Sequence, residues 1–172
     1  LIASAIEDNL FNGGTGVDII DYRFGPAVVL ALDGSFENAG AASGDEISGV
    51  EYIYGSRGGA DFLRGNGIAN QLRGEGGADT LDGAAGADGL IGGSGADSLI
   101  GGLGNDSFFY QNLSHFGDTI ADFSTTVGND DRFQITASAV GGGLALGALA
   151  ASRFQSRGDN AAQDADDRFI FR

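Results

Sequence analysis

The sequence predicts an all-β chain wound as a parallel β-helix, on three observations. The first is a nine-residue beat. From Gly74 the chain reads GEGGADTLD, GAAGADGLI, GGSGADSLI, GGLGNDSFF, each fitting G-G-x-G-x-D-x-U-x with U a large apolar residue. The second is phase. Asp79, Asp88, Asp97 and Asp106 hold the sixth place of each unit, and Leu81, Leu90, Leu99 and Phe108 hold the eighth. The third is length. Nine residues are too few for a helix–loop repeat and suit a turn followed by a short strand.

The residue types at these places have a physical reason. Glycine accepts backbone angles that a Cβ resists, so the first six residues of a unit can curl tightly and turn carbonyls inward. Aspartate at the sixth place adds a carboxylate. Carbonyl and carboxylate oxygens together suit Ca²⁺, which takes about six to eight oxygen ligands. In the x-U-x that follows, the two-residue pleat sends only U inside. Two units make one coil with a loop at each end, so the loops stack in alternate sets. Asp61, Asp79 and Asp97 are expected on one side, and Asn70, Asp88 and Asp106 on the other. Ions are expected between loops one coil apart, at 61/79, 79/97 and 88/106, which gives at least three. The pair 70/88 should be weaker, because Asn70 offers a neutral oxygen.

Each unit buries one Leu-sized side chain, too little to offset the ordering of nine residues. Stacked carboxylates also repel without a cation. Metal binding is therefore expected to be part of the folding free energy, with the apo chain largely disordered. A set of Asp-containing turns with no metal is the plain alternative. Four in-phase units with a locked apolar place speak against it.

These repeats resemble the RTX (repeats-in-toxin) family of secreted bacterial proteins. The resemblance covers about residues 56–109, with an outlying unit, GGTGVDIID, at 13–21. It implies a right-handed parallel β-roll carrying rows of Ca²⁺, export by the type I secretion machinery, and folding outside the cell. It also implies that loop carbonyls complete each site, by position including those of Gly77, Gly86, Gly93, Gly95, Gly102 and Gly104. Glu75, Ala84 and Ala85 replace consensus glycines or their neighbours, and Asn70 replaces Asp. The first two coils are therefore expected to bind less tightly.

Composition narrows the function classes. Glycine is 32 of 172 residues, well above the usual share of about 7%. Unphased, that would suggest disorder; the phase overrides it. No G-X-Y triplet runs through the chain, which excludes collagen. The net charge is −15, with 24 acidic against 9 basic residues, all of the latter Arg. So acidic a chain should not bind nucleic acid or anionic membrane by itself. There is no Cys, which excludes disulfides and thiolate zinc sites. No apolar run reaches the roughly 18 uninterrupted residues of a membrane span; Ala137–Ala151 is broken by Gly. The chain opens Leu-Ile-Ala without Met or a basic n-region, so no signal peptide is visible and an excised piece of a longer protein is expected.

Taken in order, residues 1–54 read as irregular β-helix coils with one early repeat. Asn9 and Phe11 sit at the sixth and eighth places of an imperfect unit. Gly13–Asp21 is a full unit with Asp18 as ligand candidate and Ile20 inside. Val28–Leu32 reads as a strand behind Pro26, and Gly34–Gly44 as a loop. Asp45 is either a ligand or part of an Asx turn. Residues 55–109 read as the regular roll. Its ninth places face outward and run Arg64, Arg73, Asp82, Ile91, Ile100, Phe109. Ile91 and Phe109 should stack on one outer face, and the C-terminal segment is expected to cover them.

Residues 110–172 read as a β-rich cap with a short helix. Asp118–Phe123 and Asp131–Ile135 alternate as strands, and the former resembles the D-x-I-x-D-F segment that follows RTX repeats. Asp118 and Asp122 either close the last site with Asp106 or face solvent. Leu146, Leu149, Ala150 and Phe154 have helical spacing, and Arg168–Phe171 reads as a final strand.

No catalytic set stands out. Ser114, His115 and Asp118 are too close along a strand to converge, and no nucleophile elbow, P-loop or H-E-x-x-H is present. The sequence thus points to a non-catalytic, monomeric Ca²⁺-binding module of a larger secreted protein, such as a protease, lipase, polysaccharide-modifying enzyme or toxin. The alternative is an adhesion module whose calcium-loaded face binds polysaccharide or a cell surface. It lacks an aromatic platform, since Trp is absent and Tyr22, Tyr52, Tyr54 and Tyr110 are dispersed.

Overall fold

The computed structural model of the chain describes residues 10–112, 115 and 117–135. Their regular structure is strand, with almost no helix. β1 (Leu10–Asn12), β2 (Ile19–Asp21), β3 (Val28–Ala31), β4 (Ala39–Gly40), β5 (Glu46–Ser48) and β6 (Tyr52–Tyr54) fall in the irregular first third. β7 (Phe62–Arg64), β8 (Gln71–Gly76), β9 (Thr80–Asp82), β10 (Gly89–Ser94), β11 (Ser98–Ile100) and β12 (Ser107–Tyr110) follow the nine-residue beat. β13 (Thr119–Ile120), β14 (Thr125–Thr126), β15 (Asn129–Asp130) and β16 (Arg132–Ile135) belong to the C-terminal part.

The strands alternate between two six-stranded sheets. One is ordered β2-β6-β8-β10-β12-β16 and the other β4-β3-β7-β9-β11-β13. All neighbours are parallel except β3 and β4. In the regular part the register advances 18 residues per coil. Phe62 pairs Thr80 and Thr80 pairs Ser98 in one sheet; Gln71 pairs Gly89 and Gly89 pairs Ser107 in the other. Ahead of it lies a coil with a 33-residue step, Ile19 to Tyr52 and Val29 to Phe62. Its extra chain forms β4 and β5, the latter paired with β1.

The period-two pleat places the eighth residue of each unit between the sheets. Leu63, Leu72, Leu81, Leu90 and Phe108 are fully buried, and Leu99 is buried with them. Ile20, Leu30 and Ile53 continue the stack through the irregular coils. At the other end Phe123 and Phe133 lie stacked, 4.6 Å apart, and each packs on Phe108. This aromatic plug closes the core.

Outward positions vary. Arg64 pairs with Asp33 (2.8 Å) and with Asp82. The expectation that Ile91 is covered fits its 2% exposure, while Phe109 is half-buried. The segment expected to cover them, where it runs beyond residue 135, lies outside the described residues. So do Asn9, Leu146, Leu149, Ala150, Phe154 and the strand expected at Arg168–Phe171.

Two residues carry strain. Glu75 and Ala84, at φ 71° and 72°, stand where the repeat has glycine. A left-handed backbone angle costs a residue with a Cβ roughly 1–2 kcal/mol, part of which glycine gives back in unfolded-state entropy. Ala84→Gly should therefore stabilise the calcium-loaded chain by up to about 1 kcal/mol, read from its urea midpoint. Leu81→Ala should destabilise it by about 2–5 kcal/mol; a loss under about 1 kcal/mol would mean that the sheets close over the gap.

Candidate metal centre

Each repeat aspartate immediately precedes an outward residue of its strand, which fixes it at the mouth of a loop. There one carboxylate oxygen accepts the backbone N–H of the equivalent residue one coil earlier. Asp61 donates to Asp79 Oδ1 (2.8 Å), Asp79 to Asp97 Oδ1 (2.9 Å), and Asp97 to Asp118 Oδ1 (3.1 Å). On the opposite side Asn70 donates to Asp88 Oδ1 (2.7 Å), Asp88 to Asp106 Oδ1 (2.9 Å), and Asp106 to Asp131 Oδ1 (3.1 Å). The first column begins with the Val28 N–H on Asp61 Oδ1 (2.8 Å). The second begins with the Asp18 N–H on Glu51 Oε2 (2.9 Å), and register places Glu51 beside Asn70.

The other oxygen is left over. Asp79, Asp88, Asp97 and Asp106 are each at most 3% exposed, and the Oδ2 of each has no hydrogen-bond partner. Asp18 Oδ2 is stranded in the same way on a half-buried residue. A buried acceptor without a partner is costly, and a charged one more so. Burial pushes the Asp79 and Asp88 carboxyls up to about 7, against the backbone N–H bonds from Asp61 and Asn70, and neighbouring carboxylates push the same way. Burial likewise raises Asp61, Asp97 and Asp106. Asp118 also rises to about 7, through burial first and then its neighbour Asp97.

Backbone oxygens crowd the same loops. A Cβ at Gly95 would overlap the Gly77 carbonyl, and one at Gly104 the Gly86 carbonyl. Gly93 and Gly102 press on the carbonyls of Glu75 and Ala84. Gly77, Gly86, Gly93, Gly95, Gly102 and Gly104 all have φ between 93° and 138°, a region closed to other residues without strain. Among the described residues no three acidic or histidine side chains converge on one point. A cation here would take one stranded carboxylate oxygen from a repeat and its remaining ligands from carbonyls. That all-oxygen donor set fits Ca²⁺ and not a nitrogen- or sulfur-seeking metal.

Residues 56–90 and 90–110 match the RTX calcium-binding nonapeptide repeat, in four copies. This stretch is an RTX calcium-binding repeat module. No curated protein gives a significant match to the chain. Calcium bound in such loops would supply the positive charge that the stranded oxygens of Asp79, Asp88, Asp97 and Asp106 lack.

The other expected ligands are placed differently. Asp61 and Asn70 stand in the columns but keep no stranded oxygen. Asp118 is 1% exposed and extends the Asp97 column. Asp122 stands outside both columns: its two oxygens accept the N–H groups of Gly101 (2.8 Å) and Gly102 (2.7 Å), so it braces a loop of the RTX module. The partner of Asp106 is Asp131 instead, whose Oδ2 accepts the Ser124 N–H (2.7 Å). Asp45 accepts the Tyr22 hydroxyl (3.0 Å), a contact inside the irregular coil. Asp131 carried a legible signal, since Asp131-Arg132-Phe133 repeats the D-x-U triplet of the regular units. Asn129, which accepts the Gly104 N–H (2.6 Å), and Glu51 carried none.

The raised carboxyls fix a pH dependence. Their folded values, about 7 for Asp79, Asp88 and Asp118, exceed the unfolded value of about 4. Their contribution to stability is fully present below about pH 4 and is lost as pH rises through about 7. In calcium-stripped buffer the chain should lose compactness and β signal from pH 4 to 7. In saturating calcium, where protons compete with the ion, stability should instead rise over that window. Circular dichroism across both titrations checks the sign.

Proposed function

We propose that this chain is a non-catalytic calcium-responsive folding module of a larger secreted protein. It stays little structured at low cytosolic calcium and folds in the roughly millimolar calcium outside the cell, which serves type I export and stability after export. One observation carries this reading: five buried carboxylate oxygens in two like-charged columns, those of Asp18, Asp79, Asp88, Asp97 and Asp106, have no protein partner. A folded state built that way is incomplete at neutral pH without a cation. A ligand that binds only the folded state stabilises it by mass action, so calcium concentration becomes the folding variable.

The reading is tested by circular dichroism and sedimentation velocity in EDTA and across a calcium titration to about 10 mM, an order of magnitude above the weaker extracellular sites. The expected result is a cooperative shift from an expanded chain to a compact β form. Magnesium should not reproduce it, because that ion demands tight octahedral geometry and holds its water. A chain equally compact in EDTA would sink the folding role and leave a self-sufficient β-helix.

A further inference from the structure

We infer that the first regular coil, residues 55–73, takes no calcium, and that within the regular roll the ladder of ions begins one coil later, at Asp79 and Asp88. This rests on the calcium-binding reading above and departs from the repeat pattern, which would place an ion at Asp61.

The departure starts with one residue. β6 pairs Tyr52 with Gln71, a step of 19, whereas every later step of the regular roll is 18. The surplus residue lies in the loop before Asp61. Gly55 donates its N–H to the Arg73 carbonyl (2.8 Å), as Gly65 does to Asp82 (2.8 Å) and Gly83 to Ile100 (2.9 Å). Gly55 therefore opens the loop, and Ser56, which the nine-residue count puts at the first place, is pushed inside it. Ser56 is 1% exposed and Asp61 3%. The Ser56 N–H donates to Asp61 Oδ2 (2.6 Å), and its hydroxyl donates to Oδ1 (3.0 Å). The hydroxyl also accepts the Gly59 N–H (2.9 Å), which fixes its orientation.

Both Asp61 oxygens are thus engaged. The oxygen that corresponds to the stranded Oδ2 of Asp79 faces an amide hydrogen. That hydrogen is the positive end of a dipole, standing where a cation would have to stand. Across the coil, Asn70 Oδ1 accepts the Asn66 N–H (2.9 Å), and its side-chain amide reaches the Glu51 carbonyl (3.4 Å). That loop is neutral and already hydrogen-bonded. Protein donors do in this coil what calcium does in the next ones, so the ion-bearing stretch has a metal-free coil on its N-terminal side.

The deciding experiment uses the wild-type chain crystallised in calcium, with an anomalous difference map. Peaks are expected within about 2.6 Å of the Oδ2 atoms of Asp79 and Asp88, with none at that distance from an Asp61 or Asn70 side-chain oxygen. A peak at Asp61 or Asn70 overturns the inference and leaves the calcium-binding reading intact. No peak anywhere overturns both. Native mass spectrometry at saturating calcium gives a second reading. Asp79→Asn should lower the ion count by at least one, and Asp61→Asn should leave it unchanged. An equal loss for both variants overturns the inference.

Discussion

The hydrogen bond from a backbone amide to a carboxylate one coil further on is the constraint on which this fold depends. In the regular part it recurs every 18 residues along two columns and locks the register of parallel strands only three to six residues long. It also aligns carboxylates above one another and buries them. Register and charge repulsion therefore come from the same contact. The oxygen that holds the amide is satisfied, and its twin is stranded. The need for a cation is a direct product of the way the coils are held together.

Little else could hold them. In the regular roll the core is a file of leucines capped by three phenylalanines, and each coil contributes two large side chains to it. The outward ion pairs of Arg64 are half-exposed, where such pairs add little. Each coil touches only its neighbours, so the molecule behaves as a stack whose stability is a sum of local interfaces. Weakness in any one interface then has to be met on the spot. Ser56 and Asn66 meet it with protein donors, Asp79 and its successors leave an oxygen without a protein donor, and Ser124 meets it with its backbone amide at Asp131.

The regular roll was legible because its signal is redundant. Glycines, the sixth-place aspartate and the eighth-place apolar residue all report one phase, so the two columns and the core file could be written from the sequence. What escaped is where the phase slips. Nothing in Gly55-Ser56-Arg57 marks which residue opens the loop, and one surplus residue changes Asp61 from a stranded carboxylate to a satisfied one. The C-terminal columns were hidden for a related reason. Steps of 21 residues to Asp118 and 25 to Asp131 leave the beat, so Asp122, nearer in sequence, looked like the partner that Asp131 is. Long-range partners such as Glu51 for Asp18 depend on a 33-residue coil that no local pattern announces.

The 18-residue register makes the chain a ruler with two alternating marks. Removing or inserting one whole coil returns every later aspartate to its own column and every later leucine to the core. Removing a single nonapeptide keeps the leucines inside but exchanges the columns, so Asp118 and Asp131 would arrive on the wrong sides and the aromatic plug would meet the other sheet. The architecture can therefore lengthen or shorten only by pairs of repeats. An odd unit requires a fresh ending as well as a fresh loop.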